Sequence, residues 1–162
     1  MHDEDILLRS TQGIAYIFIA PCIILSASVW FTSDSIGIVV ASLFQIYIFI
    51  LFFLLSGYIR SLRSYYEGNY KDELSSISLI PIFLASTSGL LTILLNPVWG
   101  IGFLLIGSYL TRFIKTLYTI FNIFPKKYLD LFNRISIILC ICLMLIFTYW
   151  VNPYSNPIQA YI

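Results

Sequence analysis

Five long apolar runs, parted by short polar connections, organise the chain: Gly13–Phe31, Ile36–Tyr58, Leu74–Leu95, Val98–Leu110 and Ile135–Val151. A helix rises 1.5 Å per residue, so about 20 residues cross a ~30 Å hydrocarbon core. Four runs meet that length or approach it. The fourth covers only ~20 Å as it stands. It is expected to continue through Arg112 and Lys115 toward Ile123, their long side chains snorkelling to the interface. The pattern predicts an all-α, polytopic integral membrane protein with five transmembrane helices. Its parts are an acidic tail (1–12), a five-helix membrane domain (13–151) and a short C-terminal tail (152–162).

Composition supports lipid as the solvent. Of 162 residues, 59% are hydrophobic and 10% charged, and the mean hydropathy is +0.90. A soluble domain carries roughly a quarter charged residues, and one water-soluble globule could not hide this much apolar surface. The leader "MHDED" is acidic where a secretory signal wants positive charge. The small-residue stretch Ser26-Ala27-Ser28 is therefore not expected to be cleaved.

Charge then orients the spans. Arg9 precedes the first; Arg60, Arg63 and Lys71 separate the second from the third. Arg112, Lys115, Lys126, Lys127 and Arg134 stand between the fourth and fifth. The connections "TSDS" and "NP" and the tail "NPYSNPIQAYI" hold no Lys or Arg. With five crossings all nine cations share one face, and the positive-inside rule predicts the N-terminus inside and the C-terminus outside. Trp30, Trp99 and Trp150 fall at the outer interface; Tyr65, Tyr66, Tyr70, Tyr118 and Tyr128 fall at the inner one, as aromatic belts do.

"FPKKYLDLFNR" (124–134) reads as an interfacial, amphipathic entry to the fifth helix, facing anionic headgroups. Pro125 suits its first turn. Tyr128, Leu131, Phe132 and Ile135 share one side, and Lys126–Asp130 and Asp130–Arg134 are i,i+4 pairs on the other. Candidate lipid- or partner-binding residues are thus Arg60, Arg63, Arg112, Lys115, Lys126, Lys127 and Arg134. No basic aromatic patch suited to nucleic acid appears.

Catalytic chemistry has little to work with. The acids outside the tail, Asp34, Glu67, Asp72, Glu73 and Asp130, fall in connections or at the interface, and His2 is the sole histidine. No zinc set, Ser-His-Asp arrangement or paired carboxylates can be assembled, so no catalytic, metal or cofactor residue is assigned. Cys22, Cys140 and Cys142 read as small buried hydrophobes.

The spans themselves hold small and weakly polar groups. Ala85, Ser88 and Gly89 of "ASTSG", with Gly100, Gly102 and Gly107 of the fourth span, let backbones approach closely. Only Asn96 and Pro97 remain for the turn, so spans three and four form a tight hairpin whose small faces meet. Gln45, mid-span, needs a hydrogen-bond partner, with an intramolecular serine the first candidate. Pro21 and Pro81 kink their helices and free carbonyls. They also head a similar pattern in the two hairpins: Ser26 and Ser28, Ser86 and Ser88, then "SGYIRSLRSYY" against "GSYLTRFIKTLY". The spacings of that possible repeat differ between the hairpins.

From Ser75 onward the chain resembles the transmembrane-protein-69-like domain-of-unknown-function family of proteobacteria and mitochondria. "SLIPIFLA" matches its third-span proline and "GFLLIGSYLTRF" its glycine-led fourth span. "FPKKYLDLFNRISIIL" matches its Pro-x-x-Tyr-x-x-Leu entry, with Pro125, Tyr128 and Leu131 in place. The first half departs, reading "SGYIRS" where that family has a His-Trp-Gly signature. The resemblance implies a bacterial cytoplasmic or mitochondrial inner membrane and no known chemistry. The expected role is a non-catalytic accessory or assembly subunit of a larger complex, such as a respiratory one, with lipids and other membrane subunits as partners. The alternative is a small transporter, or a lipid- or quinone-binding carrier working as a homo-oligomer. Gln45, Ser86, Ser88 and the two proline kinks would then line a cavity.

Overall fold

A computed structural model describes residues 2–122 and 124–152, giving the backbone alone for 2–10, 115 and 116. The tail beyond Asn152, Ile123 and the side chains of Arg9 and Lys115 therefore lie outside the described residues. Five helices follow in order: α1 (His2–Ser28), α2 (Asp34–Leu62), α3 (Asn69–Leu94), α4 (Pro97–Leu110) and α5 (Lys126–Val151). All five are long and apolar enough to cross a membrane, once the turns following α4 are added.

Each helix packs on its neighbours in sequence, and α5 also packs on α1, so the bundle closes into a ring. The first three connections are short, and across α4 and α5 Gly102 faces Phe147 while Arg112 lies with Cys140. Hence successive helices run antiparallel while α1 and α5 run parallel. Phe44 and Ile48 of α2, Ile101 and Leu104 of α4, and Leu143, Ile146 and Trp150 of α5 fill the interior. Cys22 and Cys142 join them as buried hydrophobes.

Two expectations about the helices are refined. The chain continues beyond Leu110, but as a 3-10 segment, Thr111–Thr116, rather than as α-helix. Thr111 turns its hydroxyl back on the Ser108 carbonyl at 2.7 Å, and Thr111, Phe113 and Ile114 are weak helix formers. A 3-10 helix rises ~2.0 Å per residue, so these turns add ~12 Å to the ~21 Å of α4. Pro125 stands just ahead of the first turn of α5, as its N-cap.

Both α1 and α3 run on through their prolines. Proline lacks the N–H that would bond the carbonyl four residues back, and its ring crowds the preceding turn. In each case α2 supplies a hydroxyl to the carbonyl three residues before the proline. Tyr47 donates to Phe18 at 2.8 Å and Ser56 donates to Ser78 at 2.5 Å. This shared feature accompanies hairpins of unequal length, because α2 has 29 residues and α4 has 14.

Candidate functional site

Three α-helices meet at a polar seam near the α3–α4 turn. Ser88 of α3 donates to the Gly100 carbonyl of α4 at 2.8 Å, and Thr92 donates to the Ser88 carbonyl at 2.9 Å. The Gln45 side-chain amide, carried by α2, donates to the Thr92 hydroxyl. Gln45 is 5% exposed and Ser88 0%, so these bonds replace water that is absent at this depth. The partner of Gln45 is thus a threonine rather than the serine expected.

Gly100 makes the seam possible. A Cβ built there would stand 1.9 Å from Thr92 Oγ1 and 2.7 Å from the Ser88 carbonyl oxygen. Two turns on, Gly107 faces Leu84, whose Cδ2 would lie 2.3 Å from an added Cβ. The buried Ala85 lies between these contacts on α3. The small faces of α3 and α4 therefore meet as expected, with two exceptions: Gly89 faces Phe49 of α2 and Gly102 faces Phe147 of α5. Helical phase explains both, since neither residue lies on the shared face. Ser86 is exposed on the outside of α3, so it does not join Gln45 and Ser88 around a common cavity.

The cationic end carries a second, smaller core that no hydrophobic pattern announced. Leu74, Ile77 and Ile120 are buried, with Ile59, Tyr66, Tyr118 and Phe124 packed around them. Glu73 locks it. Its carboxylate accepts from the Thr119 hydroxyl at 2.7 Å and from the Ile120 N–H at 2.8 Å, bridging α3 to the 3-10 turn Thr119–Asn122. Glu73 precedes the apolar run of α3. The Thr119 hydroxyl first, then the backbone N–H groups of Ile120 and Thr119, hold its carboxyl below the ordinary range against the opposing effect of desolvation. A bond spanning 46 positions leaves no local signature, which is why sequence reasoning missed it. Gly68 opens α3 at a φ of 62°, a conformation that favours glycine.

The predicted basic residues gather at this end without converging on one point. Arg60 and Lys126 are exposed. Arg63 is half-buried, and its Nε is a buried polar atom without a hydrogen-bond partner among the described residues. Lys127, Asp130 and Arg134 line a polar hollow of about 190 Å³ with Gln12 of α1. Asp130 and Arg134, like Lys126, are exposed, where charge pairs contribute little to stability.

Arg112 is different. It is half-buried at the cationic end of a groove of about 380 Å³ between α4 and α5. Leu105 and Tyr109 form one wall; Ile137, Ile141 and Met144 form the other, with Cys140 between. The i, i+4, i+7 spacing of the α5 wall was visible beforehand. Every face of a membrane helix is apolar, however, so the spacing singled out nothing.

At the opposite end, Trp30 is half-exposed and Trp99 is 60% exposed, whereas Trp150 is 1% exposed and turned into the bundle. Tyr149 stacks edge-on against Trp30 and Trp150, with ring centroids 6.2 and 5.9 Å apart. The exposed indoles at this end are thus Trp30 and Trp99. Among the described residues no three His, Cys, Asp or Glu side chains are grouped to hold a metal ion.

No protein-family model, no curated protein and no solved structure matches this chain.

Proposed function

We propose that the chain is a non-catalytic subunit, accessory or assembly in role, of a larger inner-membrane complex, threaded with its N-terminus inside and its C-terminus outside. One observation carries the reading. Between helices, polar groups inside the bundle are spent on one another, Gln45 on Thr92, Ser88 on Gly100, Ser56 on Ser78; the buried Ser108 hydroxyl, by contrast, has no hydrogen-bond partner among the described residues. That interior serves as a packed scaffold rather than a polar passage, and leaves the outer faces and the basic end for partners. The distribution of Lys and Arg supports the orientation, and the resemblance of the second half supports an energy-transducing membrane. A second reading, a small transporter or a lipid- or quinone-binding carrier acting as a homo-oligomer, draws support from the groove beside Arg112.

Gentle detergent extraction followed by native electrophoresis separates them. Comigration with a large complex is expected; a lone monomer or homodimer favours the carrier. Gln45→Leu is expected to keep both fold and comigration. It removes one interhelical hydrogen bond, worth about 0.6 and at most ~1.7 kcal/mol in a bilayer, while Thr92 still donates to Ser88. Loss of a transport activity without loss of fold would favour the carrier instead. For orientation, a reporter fused after Ile162 is expected to be active outside; activity inside would reverse the threading.

A further inference from the structure

We infer that the groove between α4 and α5 is a site for one anionic phospholipid, its phosphate on the Arg112 guanidinium and an acyl chain along the apolar wall. This rests on the membrane reading above and names the ligand of one of its basic residues. Arg112 is half-buried and lines the groove with apolar side chains, none of the other lining residues being charged. A cation at membrane depth is costly without an anion. At the rim of a transmembrane groove, that anion is a lipid phosphate, which a planar guanidinium binds in bidentate fashion. Basic pockets between transmembrane helices on the inner side favour anionic headgroups. The direction of the groove fits a lipid. Arg112 marks the basic end, while Leu105 and Met144 lie toward mid-bundle, as acyl carbons lie below a headgroup. A helix of a second copy would match the apolar wall but leave the cation unmet.

The test uses the full chain in detergent, stripped of lipid and titrated with phosphatidylglycerol or phosphatidylcholine under native mass spectrometry. One phosphatidylglycerol per chain is expected to be retained in preference to phosphatidylcholine. Arg112→Gln is expected to weaken phosphatidylglycerol about tenfold or more, the loss of a charge-assisted hydrogen bond, and phosphatidylcholine far less. Met144→Trp, which fills the groove, weakens both. Arg112 lies outside the bundle core, so its variant stays informative if Met144→Trp misfolds. Equal retention of the two lipids, or an unchanged Arg112→Gln, overturns the inference. So does competition by inorganic phosphate at equal concentration, or a lipid-free dimer that Met144→Trp abolishes. Binding in detergent does not depend on threading, so reversed orientation or loss of the large complex is read separately.

Discussion

Gly100→Ala is expected to cost about 3 kcal/mol or more and to lower the thermal midpoint in detergent sharply. The added methyl alone meets the Thr92 hydroxyl at 1.9 Å and the Ser88 carbonyl at 2.7 Å. A carbonyl within a helix cannot rotate away, and a β-branched threonine has few rotamers to retreat into. α3 and α4 must therefore separate. Overpacking of this kind costs about 1–3 kcal/mol, and separation also releases the Ser88–Gly100 and Gln45–Thr92 hydrogen bonds at about 0.6 kcal/mol each. Gly89→Ala is the control. Its nearest neighbour, Phe49, would lie at 3.7 Å, an ordinary contact, and alanine is the better helix former. The control is expected to be neutral or mildly stabilising. Equal destabilisation by both substitutions would refute the close approach at Gly100.

Trp150→Ala is expected to cost 3–5 kcal/mol, the range for deleting a large buried aromatic. Its indole is 1% exposed and lies against Tyr149 in the central core. Lipid is as apolar as the interior, so the loss is mainly of packing against neighbours and of the edge-on ring contact. Trp99→Ala removes a side chain that is 60% exposed and should change stability by well under ~1 kcal/mol. Thermal unfolding of the two variants side by side decides between an anchoring and a core role. A Trp150 variant as stable as the Trp99 variant would return Trp150 to the headgroup region.

The contrast between these tryptophans shows what the sequence could and could not disclose. Both occur at the end of an apolar run, and depth along a helix is legible because it is a matter of counting residues. Which way a side chain faces is harder to read. On a soluble helix, polar residues mark the outside; on α5 both the lipid and the core want apolar groups. The same ambiguity hid the partners of Gly89 and Gly102, while the α3–α4 hairpin was legible because Asn96 and Pro97 left no room for anything looser. Asn96 indeed caps α4, accepting from the Trp99 N–H. Glu73 was invisible for another reason: its partners Thr119 and Ile120 become neighbours only after α4 and the 3-10 segment beyond it have been placed. The groove needed both α4 and α5 in position. Arg112 could be identified from its depth, but its surroundings could not.

The winding of the segment beyond Leu110 bears on which bilayers suit the protein. Six residues at ~2.0 Å rather than ~1.5 Å gain ~3 Å of reach, comparable with the difference in thickness between natural membranes. Rewinding Thr111–Thr116 as α-helix would give that length back. The shortest helix therefore carries a reserve of extension twice as long as the three-residue 3-10 end of α2, a local means of meeting hydrophobic mismatch without tilting the whole bundle.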